Sequence, residues 1–469
     1  MTYLLQKTWL LLLCVALYFG IGFYNNNFYR TLVRNRANLA RKDPSHLHVA
    51  VVHGDSISTG FLTGAEIATE EVNQKSPGRI VLQEIDATTE RDVGAALESL
   101  LARNMSISVV VAEAPGTPNQ IAVICESYGV ALLLVNPDPT FLPSPGFRYV
   151  LKVGPHYDST CQAVIDSLSL VTGKPKHAEI RVGLFFDQST VGGEDLVNTF
   201  LGVNRSHNEL YRSAVAIEKA VEEGLLKGDQ PLDSLDDTLY IQSGVTVAGS
   251  ILRDFLVHET ATADLTTQQA LDRTPALKNS VKLSFVQGYE TEPFNPGHLA
   301  AVTKSEPLDC IVLVANLPKA IELIGRIRAL KVTTPIICLD FKPAPWAITN
   351  LGSLTENLYM VSAIDPTLTT AGLGEFRQRF RERAARLDRP VKESDLTGVL
   401  AYDSLTTLAN VATEQGTTVP LELMTLIQFQ TTKWKGLSTD KIRFESGSVT
   451  ADQKPVLVTL KDGAYVTLK

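Results

Sequence analysis

The chain is poor in cysteine: it has five, at 14, 125, 161, 310 and 338, with no C-x-x-C pair and no regular spacing. A chain of 469 residues with so few cysteines is not a disulfide scaffold, so we expect buried free thiols. The net charge is −8 and the basic residues are dispersed, which excludes the basic patch of a nucleic-acid-binding protein. No short repeat and no low-complexity tract is present.

Histidine is also scarce, and none follows His298. This bears on Ser56, because Gly54-Asp55-Ser56 after a buried strand resembles the first block of GDS-type serine esterases. A serine hydroxyl needs a base, which that family supplies from an Asp-x-x-His block near its C-terminus. The Asp-x-x-His of this chain, Asp43 to His46, precedes the triplet instead. The esterase is therefore a remote alternative, and we predict that the protein is not an enzyme.

Two other kinds of site are not supported by the spacing. A phosphate loop over 54–60 lacks the Lys-Ser/Thr pair after its last glycine, where Phe61 and Leu62 stand. His46 and His48 share one face of a strand, with His53 beyond, but no acidic or cysteine partner is spaced with them as a metal site requires. We interpret these histidines as residues at a strand entry, and we predict no metal and no cofactor.

The N-terminus carries an apolar run. No charge occurs from Thr8 to Tyr29, and "WLLLLCVALYFGIGF" is long enough, since about 20 residues span a bilayer. We predict that residues 1–45 form a membrane anchor with a basic linker; a cleaved signal, with Gly20-Ile-Gly22 as its best site, is the second choice. The basic residues that follow the run, Arg30, Arg34, Arg36, Arg41 and Lys42, would keep the next domain in the cytoplasm, against export. That conflict stays open.

After residue 45, apolar strands alternate with amphipathic helices. Strands are predicted at "VAVV", "ISVVVA", "ALLLV", "RVGLFF", "DCIVLVA" and "PIICL", and helices at 61–73, "DVGAALESLLARN", "NQIAVICESYG" and "KAIELIGRIRAL". This alternation predicts an α/β fold with parallel sheets covered on both faces, in two similar lobes. Residues 204–282 break the rhythm and are predicted to be a partly helical insertion. The arginines of "EFRQRFRERAARLDRP" indicate a solvated helix face or, alternatively, an acidic partner.

Several segments, taken in order, resemble type I periplasmic binding proteins of the branched-chain amino acid group. They are "STGFLTGAEIATEEVNQ", "LQEIDATTERDVGAALESLLARN", "VVVAEAPGTPNQIAVICESYGVALLLVNPDPTFL", "FRYVLKVGPHYDSTCQAV", "AYDSLTTLANV", "KGLSTDKIRFESG" and "LKDGAYV". The resemblance covers 46–469 apart from the insertion. It implies lobe 1 from 46–154 and 366–435, lobe 2 from 155–365 and 436–469, and three crossings near 154–156, 362–366 and 433–439. Ligand would bind in a cleft between lobes that close by hinge bending.

The resemblance also implies which residues meet the ligand, at loops where strand ends lead to helix N-termini that favour a carboxylate. They are Ser58, Thr59, Gly116, Thr117, Asp138, Thr140, Tyr157, Asp187, Asn316 and Asp340. Thr117 and Thr140 match hydroxyl positions, and Asp340 stands near the place of an acid that holds an ammonium group. Ser56, Ser58 and Thr59 either contact ligand or cap helix 61–73. Because no tyrosine follows "GLFF" and Asp138 replaces a small residue, another small polar ligand stays open.

The resulting prediction is a membrane-tethered extracytoplasmic solute-binding protein. It would capture a small amino acid or a related polar metabolite and pass it to an ABC permease. The main alternative is a membrane-anchored sensor or regulator of the same fold that binds an envelope partner.

Overall fold

The computed structural model describes the chain from residue 27 to residue 468 with interruptions. The described residues are 27–53, 59–86, 92–113, 118–135, 146–153, 157–188, 193–224, 227–231, 234, 239–242, 245–248, 253, 265–273, 278–289, 307–315, 317–339, 351–362, 365, 367, 371–387, 396–429, 436–437, 443–444, 451–452, 455–461 and 464–468.

Helices and strands alternate along most of the described chain. The first group is α1 (27–42), β1 (Leu47–His53), α2 (Thr59–Lys75), β2 (Ile80–Asp86), α3 (Val93–Arg103), β3 (Val109–Ala112), α4 (Pro118–Tyr128), β4 (Ala131–Val135) and β5 (Val150–Val153). The second is α5 (Tyr157–Thr172), β6 (Ile180–Asp187), α6 (Gly193–Glu222), β7 (Leu239–Gln242), β8 (Val245–Ala248), α7 (Thr267–Arg273), β9 (Val281–Tyr289), β10 (Cys310–Val314), α8 (Leu317–Ala329), β11 (Ile336–Cys338), a 3-10 helix (Gly352–Thr355) and β12 (Leu358–Ser362). The last is α9 (Ala371–Arg386), α10 (Leu396–Gln415), α11 (Pro420–Phe429), β13 (Arg443–Phe444), β14 (Ala451–Asp452), β15 (Val456–Lys461) and β16 (Ala464–Thr467).

The predicted strands and helices are confirmed, because their signals are local. The apolar run "VAVV" lies within β1, and "ALLLV" is β4 with every residue buried. Helix α4 ends at Tyr128, directly before Gly129, whose φ of +63° is the left-handed conformation that glycine adopts without strain.

The chain forms two compact units and passes from one to the other three times. Unit 1 comprises Met1–Gly154 and Leu368–Asp452, and unit 2 comprises Pro155–Thr367 and Gln453–Lys469. From the sequence we placed the third boundary after residue 435, whereas unit 1 continues to Asp452. The reason is that β13 packs against α11 and β14 packs against β5, so both short strands are held within unit 1.

Unit 1 is built on a parallel sheet with the strand order β2-β1-β3-β4-β5. Alternate side chains of its central strands, such as Val110 and Leu132, pack with α3 and α4 in one hydrophobic cluster. Helices α2 and α10 contact β1, β3 and β4, so they cover the other face. A sheet buried on both faces explains why β3 and β4 are apolar without alternation.

Helices α2 and α10 approach closely at a pair of glycines. A Cβ atom on Gly64 would lie 2.0 Å from the carbonyl oxygen of Gly398. A side chain at this crossing would push α2 outwards, and with it the helix N-terminus that follows β1.

The basic helix α9 turns two of its arginines towards α2. Arg379 donates to Glu71 at 2.9 Å, and Arg383 donates to Glu66 at 2.8 Å and also to Glu70. For these two arginines the prediction of a solvated face is wrong, and so is that of an external acidic partner, since the acids are on α2 of the same unit.

Helix α1 packs against unit 1, and its residues Tyr29 and Leu32 contact the cluster that contains α3 and α4. No helix within the described part of the chain is long and apolar enough to cross a membrane. The apolar run from Thr8 falls almost entirely outside that part, which begins at residue 27. The anchor therefore stays a prediction.

Unit 2 contains a mixed sheet with the order β16-β15-β12-β11-β10-β6-β9. Strands β12, β11, β10, β6 and β9 pair in parallel, and β15 and β16 are added antiparallel. Within β10, Val312 belongs to the cluster that includes α5 and α6, and Ile311 to the cluster that includes α8. The sheet of unit 2 is thus also covered on both faces.

The predicted insertion begins inside a helix rather than at a loop. Asn204 lies in the interior of α6, a helix of 30 residues. The next turn of this helix is tied to β9, because the Asn208 side chain donates to the Val281 carbonyl at 2.8 Å and accepts from its N–H at 2.9 Å. His207 lies 2.9 Å from the Asn279 carbonyl, to which its Nε2 donates. Further along, β7 and β8 form an antiparallel hairpin.

The cysteines of the described chain are free and buried, as predicted. Cys125, Cys161, Cys310 and Cys338 make no disulfide, and burial raises the pKa of each thiol well above its ordinary value. Such thiols are inert structural side chains.

Candidate functional site

The carboxyl edge of the unit 1 sheet is where the predicted binding loops begin. Val52 of β1 pairs with Ala112 of β3, Ala112 with Leu134 of β4, and Leu134 with Lys152 of β5. The ends of these strands are therefore aligned. The loops that follow β1, β3 and β4 carry Ser58, Gly116, Thr117, Asp138 and Thr140, and these five residues lie outside the described part of the chain.

Thr59 is the first residue of α2, which starts immediately after the loop that leaves β1. Its backbone position places at this edge the helix N-terminus, whose first N–H groups have no partner within the helix. The choice between capping and ligand contact for Ser56, Ser58 and Thr59 stays open, because Ser56 and Ser58 lie outside the described residues and the Thr59 side chain is not described.

Two buried charged residues at this edge, Glu113 and Lys152, were not singled out by sequence reasoning. Glu113 follows β3 and is 8% exposed, and Lys152 in β5 is 0% exposed. His53, at the end of β1, lies 2.8 Å from Glu84 of β2. The signal was present in the sequence, since "VVVAE" and "VLKV" each put one charge at or near the end of an apolar strand. Burying a charge is costly unless it has a partner, which makes such positions informative.

The histidine pair at the other end of β1 is separate from this edge. His46 Nδ1 donates to Asp43 Oδ1 at 2.7 Å, and this hydrogen bond lowers the pKa of Asp43. A strand of seven residues is about 20 Å long, whereas the three residues from His53 to Ser56 can span only about 10 Å. Asp43 and His46 therefore cannot act on Ser56 as an esterase would require.

Within the described residues no cluster of three or more histidine, cysteine, aspartate or glutamate side chains is placed to hold a metal ion.

The carboxyl edge of the unit 2 sheet carries a buried ion pair. Asp187 is the last residue of β6 and is 0% exposed, and its Oδ2 lies 2.9 Å from Nζ of Lys319 in the first turn of α8. The strands β6 and β10 are paired, with Phe186 opposite Val314, so the residues that follow both strands meet here. The ion pair neutralises Asp187, which was predicted to contact ligand. That contact stays a prediction.

The other site residues predicted in unit 2 are Tyr157, Asn316 and Asp340, and only Tyr157 lies within the described residues. Tyr157 begins α5, is 4% exposed and belongs to the hydrophobic core of unit 2. Asn316 follows β10 and Asp340 follows β11 in the sequence, and both lie outside the described residues.

Two aspartates each join separate segments of their own unit. In unit 1, Asp403 of the Tyr-Asp pair on α10 accepts a hydrogen bond from the Leu437 N–H at 2.6 Å. In unit 2, Asp365 accepts from the N–H and the hydroxyl of Thr367 and from the hydroxyl of Thr467. The bonds of Asp365 lie beside the crossing between Thr367 and Leu368.

Comparison with known proteins gives matches at the level of structure. No protein-family model and no curated protein matches the sequence. An ABC transporter substrate-binding protein from Desulfitobacterium hafniense in complex with leucine aligns with a TM-score of 0.61 at 16% identity, over 90% of this chain and 100% of that one. A branched-chain amino acid transporter substrate-binding protein from Streptococcus pneumoniae in complex with isoleucine aligns with a TM-score of 0.59 at 14% identity, over 90% and 99%.

A third structure is a fatty acid ABC transporter substrate-binding protein from Thermomonospora curvata. It aligns with a TM-score of 0.59 at 12% identity, over 91% of this chain and 92% of that one. Another match is a type 1 periplasmic binding protein from Bordetella pertussis. This chain has the type I periplasmic binding protein fold. Identities this low show the fold alone.

In open α/β sheets, ligands generally bind outside the carboxyl ends of the strands. At the carboxyl edge of the unit 2 sheet, sequence reasoning missed Lys319. Its partner Asp187 is far away along the chain, and only the pairing of β6 with β10 brings the two residues together.

Proposed function

We propose that this chain is a non-enzymatic solute-binding protein that captures a small amino acid or a related polar metabolite and delivers it to an ABC transporter. The observation that carries the proposal is the same in both units: a buried parallel strand leads directly to a helix N-terminus. The strand-helix pairs are β1 and α2 in unit 1, and β10 and α8 in unit 2. Helix N-termini offer N–H groups and a positive dipole end to a carboxylate.

The proposed ligand contacts are those that the resemblance to type I periplasmic binding proteins implies. Ser58, Thr117 and Thr140 of unit 1 would donate hydroxyl hydrogen bonds to the ligand carboxylate. Asp340 of unit 2 would accept from the ligand ammonium group. Asp187 is not assigned the ammonium group, because its charge is already paired with Lys319.

A thermal-shift screen of the full-length chain in detergent against amino acids and small polar metabolites tests the proposal. A ligand at 100 times its Kd should stabilise the protein by about 2.7 kcal/mol. Thr117→Ala should abolish the shift, whereas the matched control Thr425→Ala should retain it, because Thr425 is exposed on α11. No shift with any compound, for wild type and control alike, would refute a solute-binding role.

The second candidate is a membrane-anchored regulator of the same fold that binds an envelope partner. It is favoured by α1, which packs on unit 1 instead of forming a free linker. A transport component should have a permease encoded beside it, whereas a regulator should have a kinase or a cell-wall enzyme there. A chain silent in the ligand screen and encoded beside such an enzyme would be the regulator.

For location we propose that the apolar run from Thr8 holds the chain in the membrane with both units on the extracytoplasmic side. Protease added to intact spheroplasts should then digest the units. Digestion only after lysis would show that the units are in the cytoplasm. That is the orientation that the basic residues after the run favour.

A further inference from the structure

Helix α1 is fastened to unit 1 by a buried arginine. Arg36 is 1% exposed, and its guanidinium donates to backbone carbonyls at the ends of α3 and α4 and in the segment before β3. These acceptors are Leu101, Asn104, Met105, Ile107 and Tyr128. Burial lowers its pKa to about 10, so the group is still charged at neutral pH. A cation at the C-terminal ends of two helices is also favoured by their dipoles.

The contacts continue in both directions from Arg36. Towards the N-terminus, the ring of Tyr29 makes an edge contact with that of Tyr128, with centroids 5.7 Å apart. Val33 lies against Gly129, where a Cβ atom would be 2.7 Å from the valine side chain. Towards the C-terminus, the hydroxyl of Thr418 donates to the Ala40 carbonyl at 3.0 Å. The helix is therefore attached along its whole described length.

These contacts place α1 along the amino edge of the unit 1 sheet. Tyr128 lies three residues before β4, Ile107 lies two residues before β3, and α1 itself leads into β1. The amino edge is opposite the edge from which the predicted binding loops leave. The side of α1 that faces away from these contacts consequently also faces away from the binding loops.

That outward side is basic with two exposed apolar residues. Its exposed residues include Phe28, Arg30, Arg34, Leu39, Arg41 and Lys42. No acidic residue occurs before Asp43 in the whole sequence. Arg30 and Arg34 form no ion pair with any residue of the described chain, while Arg41 makes only an exposed contact of 3.3 Å with Glu422. Helices that lie at a membrane surface have this composition.

We propose that the outward side of α1 binds the anionic headgroups of a lipid bilayer and holds unit 1 with its amino edge on the membrane. Charge complementarity supports a lipid partner, since anionic lipids attract basic residues that lie close to the surface. Proximity supports it too, because the uncharged run ends at Tyr29 and a helix rises only about 1.5 Å per residue. With the run in the membrane, as proposed above, Arg34 lies about 8 Å beyond Tyr29, within the reach of the surface charge.

Fluorescence quenching on the full-length chain tests this surface. A polarity-sensitive dye is attached at Asn35→Cys on the outward side, in a Cys14→Ala background. The remaining cysteines are buried and do not compete for the label. The chain is placed in nanodiscs of pure phosphatidylcholine or with about 30% phosphatidylglycerol, both containing lipids with a nitroxide on the headgroup. We expect quenching at least about threefold stronger in the anionic discs, as basic residues near anionic lipid predict.

The charge reversal Arg30→Glu with Arg34→Glu should reduce the quenching to the level in neutral discs. The control reversal Arg386→Glu should not, because Arg386 is exposed at the end of α9, a different helix of unit 1 that packs with α2. Unchanged thermal unfolding of each variant would show that the fold is kept. If the purified chain lacks its apolar run, flotation of the labelled protein with the same two lipid mixtures replaces the discs.

Equal quenching in both kinds of disc, or quenching that survives the double reversal, would overturn the proposal. Absence of quenching in anionic discs would overturn it as well, and would assign this side of α1 to a second copy or an acidic protein. None of these outcomes depends on whether the protein binds a solute.

Discussion

Arg36 in unit 1 and Asp187 in unit 2 are both buried charges, but their surroundings differ. Arg36 is surrounded by five backbone carbonyls, which are fixed parts of the scaffold. Asp187 is paired with Lys319, a flexible side chain that is 33% exposed. The first arrangement can only hold α1 in place. The second stands at the carboxyl edge of the unit 2 sheet and includes a counter-ion that solvent can reach.

The largest expected effect is at Arg36. Arg36→Met keeps most of the side-chain volume but leaves the carbonyls without a donor, and should lower the free energy of unfolding of unit 1 by about 3–5 kcal/mol. Arg34→Met, on the exposed side of the same helix, should change it by less than about 0.5 kcal/mol. Urea denaturation with hydrogen exchange on α3 and α4 measures both. Equal effects would mean that α1 is not held by Arg36.

Lys319→Met should come next, because it leaves the Asp187 carboxylate buried without its counter-ion. We expect a loss of about 3 kcal/mol in unit 2, most of which Asp187→Asn in the same chain should restore. Lys282→Met, an exposed lysine on β9, is the matched control and should have little effect. If the double variant is no more stable than Lys319→Met, the pair does not explain the burial of Asp187.

A smaller difference in stability is expected between alanine substitutions at two glycines that have the same backbone conformation. Gly129 in unit 1 and Gly173 in unit 2 have φ of +63° and +65°, but an added Cβ would meet Val33 at the first and nothing within 4 Å at the second. Gly173→Ala should therefore cost only the left-handed strain of about 1 kcal/mol, and Gly129→Ala about 1–2 kcal/mol more. Val33→Ala should remove that excess in thermal denaturation. Equal costs for the two glycines would contradict close docking of α1.

The smallest effect is a pH dependence in unit 2. Burial lowers the pKa of His207 below its ordinary value of 6.5. The unfolded chain therefore binds a proton at this histidine at a higher pH than the folded chain does. The contribution of His207 should leave the free energy of unfolding unchanged above about pH 6.5 and lower it as the pH drops below that value. His207→Gln, which can still donate to the Asn279 carbonyl, should flatten this slope. Denaturation curves between pH 5 and pH 8 measure the difference.

Much of the fold follows from the sequence alone. Strands such as "ALLLV" and helices such as "NQIAVICESYG" depend on apolar runs and periodicity, which are local properties, and their order indicated a two-lobed α/β fold. Burial of the cysteines was predictable for the same reason, since most of them lie within apolar runs.

Other features were decided only by the tertiary structure. Arg30, Arg34 and Arg36 are alike in the sequence, yet packing of α1 turns only Arg36 towards the carbonyls of unit 1. Asp187 and Lys319 are distant along the chain, and they meet because β6 pairs with β10. The physical reason is the same in both cases: the partner of a buried charge is chosen by what lies beside it in space, and no pattern of neighbouring residues records that.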